Sequence, residues 1–172
     1  MSSISANRHR ACFLKISVAG VVLVAAPWFL APTPRFIWNV TASAPVGLYW
    51  LTKAEVTRGS LVVAIPPDSV RDLTVQRGYL PAGVPLVKHV AGLSGDQICA
   101  VNGTILVNGS LAAHRLTNDS RGRPMPLWTG CHVLADEVFL LMADVPTSFD
   151  GRYFGPVPTA SIIGTVRPLW TY

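Results

Sequence analysis

QICAVNGTILVNGSLAA, residues 97–113, contains two apolar runs on either side of Asn102-Gly103. An Asn-Gly pair between apolar runs is the strongest short-range signal for a β-hairpin, because both residues accept the positive φ angles of a two-residue turn. Sustained helical periodicity occurs only near the N-terminus, so the remainder is predicted to be all-β. Further strand candidates are GSLVVAIPP (59–67), VPLVKHVAG (84–92), EVFLLMA (137–143) and SIIGTVRPLW (161–170).

A hydrophobic segment precedes this β-domain. Residues 12–30 read CFLKISVAGVVLVAAPWFL, with Lys15 as the only charge, and about 20 apolar residues suffice for a helix to cross a membrane. Arg8 and Arg10 lie just before the segment, and the positive-inside rule places such residues in the cytoplasm. A cleaved secretory signal is the alternative, although its apolar region is usually about 7–15 residues long. We predict three regions: a cytoplasmic basic tail (1–11), a transmembrane anchor (12–31) and an exported domain (32–172).

The charge distribution argues against a nucleic-acid-binding domain. The chain carries 14 basic and 9 acidic residues, a formal net charge of +5. Three of the bases precede residue 16, so the rest of the chain is close to neutral. A nucleic-acid-binding domain would cluster its basic residues on one face, often with interleaved aromatics. We therefore expect no nucleic acid as a partner.

Two of the three cysteines, Cys99 and Cys131, fall in the predicted exported domain. An oxidising compartment favours a disulfide between them, and two buried free thiols are the alternative. A zinc site is less favoured, because His89, His114 and His132 show no ligand spacing relative to these cysteines. We expect no metal ion.

Lys88 is a candidate general base. It lies in the run 84–92, and alternation along a strand places Val84, Leu86 and Val90 on its face. Burial among apolar side chains lowers the pKa of a lysine, and a neutral amine can accept a proton in catalysis. The alternative is a strand-edge lysine whose ammonium reaches water.

Ser43 is a candidate nucleophile for such a base. In NVTASAPVGLY, residues 39–49, Pro45 and Gly47 fix a turn just after the serine. A turn can expose a hydroxyl together with its backbone N–H, which could donate to an oxyanion. Taken alone, a serine followed by proline and glycine is more often only a turn.

Four segments, taken in order, resemble the motifs of the signal peptidase I family. They are SAPVGLY (43–49), VKHVAGLSGD (87–96), SFDGRYFG (148–155) and IIG (162–164). The first and third are most similar to the conjugative-transfer branch of that family, the TraF-type peptidases. The resemblance implies a signal-peptidase-like, mostly antiparallel β-domain that follows one N-terminal transmembrane helix.

The resemblance also implies roles for five residues. Ser43 would be the nucleophile and Lys88 the general base of a Ser/Lys dyad. Asp150 would be an acid that supports the active site, Arg152 its ion-pair partner, and Ser148 a hydroxyl that hydrogen-bonds the lysine. No cofactor is implied. The alternatives are that Asp150 belongs to a plain Asp-Gly turn and that Arg152 forms a surface ion pair.

Two departures from the housekeeping enzymes favour a dedicated processing enzyme. Those enzymes carry a Gly-Asp-Asn box where this chain reads Met-Ala-Asp-Val (142–145), and commonly a methionine where it has Ala44. TraF-type members act on pilin precursors of a conjugation or type IV secretion apparatus, trimming the C-terminus and joining the ends head to tail. The resemblance therefore implies a single-pass protein of the bacterial inner membrane with a periplasmic catalytic domain. A general signal peptidase and a non-catalytic scaffold of the secretion apparatus are the alternatives.

Overall fold

The computed structural model describes residues 3–30 and 35–172, with side chains described for 13–26 and 35–172. The chain divides into two compact units, residues 1–34 and 35–172, which are described separately below. The predicted junction between anchor and exported domain, at residues 31 and 32, lies outside the described residues.

The first unit contains one helix, α1 (Ser3–Leu30). From residue 13 to residue 24 its side chains are exposed, for example Phe13 at 69% and Leu23 at 76%. A search of the described residues finds no helix with both the length and the apolar character needed to cross a membrane. The predicted transmembrane anchor is therefore not confirmed.

The second unit is built mainly from antiparallel strands, which agrees with the predicted β-architecture. A seven-stranded sheet has the order β1-β2-β11-β3-β4-β9-β10, and a four-stranded sheet has the order β7-β6-β5-β8. Their bounds are β1 (Phe36–Asn39), β2 (Gly47–Thr52), β3 (Leu61–Ala64), β4 (Leu86–Gly92), β5 (Gln97–Val101), β6 (Thr104–Val107), β7 (Ser110–His114), β8 (Gly130–Val133), β9 (Glu137–Leu141), β10 (Val157–Pro158) and β11 (Ile162–Thr171).

The predicted hairpin at Asn102-Gly103 is confirmed. These residues join β5 to β6 with φ angles of 49° and 76°, the left-handed values that such a turn requires. The second Asn-Gly pair, at residues 108 and 109, makes the same kind of turn between β6 and β7. Cys99 on β5 lies directly opposite Cys131 on β8, and the two are joined by a disulfide.

The core covers both faces of the seven-stranded sheet around β3 and β4. Val62 and Val63, successive residues of β3, are both fully buried and belong to different apolar clusters. On β4, Val87 is buried as well as Lys88. The alternation expected for residues 84–92 is therefore incomplete, because apolar layers cover both sides of the strand.

The all-β prediction is wrong in one respect, because the second unit also contains helices. Helix α2 runs from Asp68 to Gln76, α3 from Gly151 to Phe154, and a 3-10 turn from Thr159 to Ser161. Nine residues is too short for α2 to show in the 11–18-residue windows on which helical periodicity is judged. Its end signals are nevertheless present: an acid in the first turn after Pro67, and Gly78, with a φ of 70°, just beyond the last turn.

Candidate active site

The turn that carries Ser43 is held in place by Asn39, the last residue of β1. Asn39 is 5% exposed, and its side-chain amide donates to the carbonyl oxygens of Thr41, Ala44 and Pro45 at 2.9, 3.0 and 3.1 Å. Its side-chain oxygen accepts from the backbone N–H and the hydroxyl of Thr41. One buried amide therefore bonds four backbone groups of the turn, and Ser43 is presented half-buried within it.

Lys88 and Ser43, 45 residues apart in the sequence, are in direct contact. Lys88 Nζ lies 2.5 Å from Ser43 Oγ and 3.0 Å from Ser148 Oγ. The Thr41 hydroxyl lies 3.2 Å from Ser43 Oγ on another side. The structure thus brings together three of the residues singled out from the sequence, and it adds Thr41 as a neighbour of the serine.

Burial controls the charge of Lys88. Its side chain projects from the centre of β4 and the residue is 2% exposed. Burial lowers its pKa from 10.5 to about 8, an effect opposed by the negative charge of Asp150 and reinforced by the positive charge of Arg152. The amine can therefore be neutral at mildly alkaline pH, which is the form that accepts a proton.

Asp150 and Arg152 form an ion pair beneath this contact, at 0% and 1% exposure. Two bonds join them, Nε to Oδ1 and Nη2 to Oδ2, each 2.8 Å long. Asp150 also caps α3 and accepts from the N–H of Met142. Such burial is inconsistent with a surface ion pair for Arg152.

The same pair orders the chain that carries Ser148. The Arg152 guanidinium donates to the carbonyl oxygens of Val145, Pro146 and Ser148, with distances from 2.7 to 3.3 Å. Asp150 forms no hydrogen bond with Lys88 or Ser43 among the described contacts, so it acts on them through its charge and through this segment.

A cleft of about 470 Å³ opens onto Ser43 and Lys88. Its lining comes from five separate parts of the chain: residues 41–43, 74–80, 86–88, 116–125 and 145–153. We refer to residues 116–125 as the cleft wall. No motif in the sequence singled out the cleft wall or the residues following α2. Asn118, Asp119 and Gly122 are turn-forming residue types, which could have indicated a loop there but not its position beside the serine.

The remaining predictions concern the cysteines and a metal. Cys99 and Cys131 lie in the four-stranded sheet, and neither lines the cleft. Within the part of the chain that the structure describes, no three His, Cys, Asp or Glu side chains come together as a metal site would require.

Comparison with known proteins identifies the family. The family model for signal peptidases, peptidase S26, matches residues 9–170, almost the whole chain. This family match defines the class as a serine peptidase. The chain belongs to the signal peptidase family, peptidase S26.

Individual relatives are also similar over most of their length. A plasmid transfer protein TraF of Escherichia coli is 36% identical over 171 residues, covering 93% of this chain and 95% of the relative. A probable conjugal transfer protein TraF of Sinorhizobium fredii is 33% identical, covering 91% of this chain and 86% of the relative. Among solved structures, a signal peptidase I from Enterococcus faecalis covers 67% of this chain and 100% of its own, at 19% identity and a TM-score of 0.39. A likeness that low has no bearing on the activity.

Proposed function

We propose that this protein is a membrane-anchored serine endopeptidase that processes a pilin precursor in conjugative transfer, with a Ser43/Lys88 dyad as its catalytic centre. The observation that carries the proposal is the 2.5 Å contact between Ser43 Oγ and the Nζ of a lysine that is 2% exposed. A serine hydroxyl is a weak nucleophile until a neighbouring base removes its proton. A lysine whose pKa is lowered to about 8 is able to do so.

The chemistry follows from that contact. Neutral Lys88 Nζ takes the proton of Ser43 as Oγ attacks the carbonyl carbon of the scissile peptide bond. The C–N bond then breaks, the leaving amine receives the proton from Lys88, and the substrate's acyl group remains on Ser43 as an ester. Water resolves the ester to a free carboxyl group. If the N-terminal amine of the same pilin attacks instead, a new peptide bond closes a ring.

The supporting residues have positioning roles in this proposal. Ser148 orients the Lys88 amine through its 3.0 Å hydrogen bond. Asp150 limits how far burial lowers the Lys88 pKa, because its negative charge favours the ammonium form. Arg152 compensates Asp150 and fixes the segment that carries Ser148.

The proposed location is the bacterial inner membrane, with residues 1–11 in the cytoplasm, 12–31 as the anchor and 32–172 as the periplasmic catalytic domain. Exposed apolar side chains along α1 and the single charge in residues 12–30 support the anchor. The Cys99–Cys131 disulfide supports an oxidising compartment for the β-domain.

The proposed substrate and partners rest on the relatives. Both E. coli and S. fredii relatives are named as transfer proteins, which supports a role beside the conjugation or type IV secretion apparatus. A dedicated substrate, a pilin precursor, is also in keeping with Ala44 and with the Met-Ala-Asp-Val sequence at 142–145, where housekeeping enzymes differ.

The test is the intact mass of a candidate pilin precursor co-expressed with the full chain. We compare wild type, Ser43→Ala and the matched control Ser110→Ala, an exposed serine on β7. A trimmed product lighter by one further water, seen with wild type and the control only, is expected for cleavage followed by ring closure. Trimming without that loss would indicate a linear product.

Three outcomes would contradict the proposal. Equal processing by Ser43→Ala would remove Ser43 as the nucleophile. Processing by neither form, with conjugation still dependent on the protein, would favour the non-catalytic scaffold. Cleavage of many unrelated exported precursors would instead favour a general signal peptidase.

A further inference from the structure

The cleft wall is organised around a second Asp–Arg pair, which the dyad chemistry does not use. Asp119 Oδ2 accepts from Arg123 Nε at 2.7 Å and from the Tyr79 hydroxyl at 2.6 Å. Its Oδ1 accepts from the backbone N–H groups of Arg121 and Arg123, each at 2.9 Å. Burial alone would raise the pKa of Asp119, but these hydrogen bonds outweigh it and hold the pKa well below its usual range. Asp119 is therefore a carboxylate whose acceptor positions are filled.

This network joins the cleft wall to a second segment that lines the cleft, residues 74–80. Tyr79, which follows α2, lines the cleft, and its ring lies under the guanidinium of Arg123 at 5.6 Å. Arg77 Nη1 donates to the carbonyl oxygen of Pro124 at 2.8 Å, and Arg123 Nη2 donates back to the carbonyl oxygen of Arg77 at 3.2 Å. The pair therefore fixes two of the five segments that line the cleft, residues 74–80 and 116–125.

The charges facing the cleft are few. Among the described residues that line it, and apart from two tyrosines, the ionisable groups are Lys88 and Asp119. Lys88 is the proposed base and is neutral when active. Asp119 is compensated by Arg123, whose side chain is 31% exposed against 5% for that of Asp119. With both groups in these states, the lining has no uncompensated charge and presents hydroxyl, apolar and aromatic groups.

We propose that Asp119 and Arg123 are a specificity-determining pair, which leaves the lining part of the cleft wall without an uncompensated charge and so selects an uncharged segment of the substrate peptide. This inference rests on the proposed peptidase function and concerns which substrates the same site accepts. An acidic or basic side chain entering the cleft would lose water and find no opposite charge free to compensate it. Replacing one member of the pair by a neutral residue leaves the charge of the other without compensation.

The test uses an equimolar library of synthetic peptides in which each position is randomised between charged and uncharged residues. The library is incubated with the full chain in a non-ionic detergent at pH 9. Wild type is expected to cleave peptides depleted of charged residues on both sides of the cut. Asp119→Asn should shift the cleaved set towards Asp and Glu, and Arg123→Gln towards Lys and Arg. We expect enrichments of about fivefold, the size of a partly exposed ion pair. The double variant should return to the uncharged preference.

Matched controls separate specificity from folding. Asp96→Asn and Arg58→Gln alter another partly exposed Asp–Arg pair, with an N···O distance of 2.6 Å, that does not line the cleft. These variants should leave the cleaved set unchanged. Recovery of the original preference by the double variant is a result that general destabilisation cannot produce.

A second measurement separates this inference from the proposed function. The four forms are repeated in the Ser43→Ala background, immobilised, and the library peptides that they retain are identified. Retention should show the same charge shifts without any cleavage. If the charge preference is the same in all four forms, or if none retains uncharged peptides over charged ones, the specificity role is overturned. Cleavage that persists in Ser43→Ala contradicts the proposed function alone.

Discussion

The two Asp–Arg pairs, Asp150–Arg152 and Asp119–Arg123, have similar geometry and very different surroundings. Each joins residues close in sequence, with contacts of 2.7–2.8 Å, and each ties down an irregular segment beside the cleft. The side chains of the first pair are 0% and 1% exposed, whereas those of the second are 5% and 31% exposed. Only the first lies close enough to Lys88 to change its pKa.

The difference in exposure between the two pairs determines whether each pair affects the stability of the fold or the charge of the cleft. A fully buried guanidinium loses all its water, so Arg152 must also bond to backbone carbonyl groups, and those bonds order residues 142–148. Arg123 keeps part of its hydration, so the charge of the wall pair can be altered with less damage to the fold. We therefore expect the buried pair to govern stability and the base, and the wall pair to govern substrate choice.

The largest effect should come from breaking the buried pair. Asp150→Asn leaves the Arg152 charge buried without its partner, which is expected to lower the free energy of unfolding by about 3–5 kcal/mol. Urea unfolding measures this loss. Asp144→Asn, an exposed aspartate in the same loop, is the control and should change stability by no more than about 0.5 kcal/mol. If Asp150→Asn lowers the free energy of unfolding no more than Asp119→Asn does, the buried pair does not govern stability as expected here.

The next effect is on the pH dependence of cleavage. Because the neutral form of Lys88 is the active one, the rate should rise as pH increases through about 8, and at pH 6 it should be about one hundredth of its plateau. Asp150 raises the Lys88 pKa, so any Asp150→Asn protein that remains folded should have its midpoint at lower pH. Asp119→Asn should leave the midpoint unchanged. Initial rates between pH 5 and 10 measure these midpoints.

The control for this profile is Lys53→Met, which removes an exposed lysine after β2. It should reproduce the wild-type curve. Full activity at pH 5 in the wild-type protein would argue strongly against a neutral lysine as the base.

The smallest effect should come from Ser148, which connects the buried pair to the dyad. Ser148→Ala removes one hydrogen bond to Lys88 while its backbone carbonyl can still accept from Arg152. One such bond is worth about 0.5–1.5 kcal/mol, so a fall of about threefold to tenfold in cleavage rate is expected. Ser110→Ala, which lies in the other sheet, should show no fall. A complete loss of activity would give Ser148 a larger role than orienting the amine.

Local signals in the sequence predicted the β-framework well. The Asn102-Gly103 turn is specified by two residues. Strands β3, β4 and β9 each fall within an apolar run singled out beforehand, and β11 does so except for its last residue. Helix α2 was missed because its buried residues are few, Val70 and Thr74. Its amphipathic pattern was too short to outweigh the surrounding strand signals.

Part of the candidate site could also be predicted, but from the resemblance to a family and not from local sequence signals. No spacing rule relates Ser43 to Lys88, because their contact depends on how β4 packs beside the serine turn. Resemblance to a family indicated both residues, whereas alternation alone left Lys88 open to a surface interpretation. Neither source indicated Asn39, whose five bonds to the turn are visible only in three dimensions, nor the hydrogen bond between Tyr79 and Asp119 beside the cleft.

The disulfide has a consequence for the assembly state of the β-domain. Strand β8 forms one edge of the four-stranded sheet, and all four of its residues are exposed, so little apolar burial holds it against β5. A weakly held edge strand can be displaced by a strand from another molecule, which leads to strand exchange or aggregation. The covalent link between Cys99 and Cys131 keeps β8 on its own β5, and so opposes the displacement of β8 by a strand from another molecule.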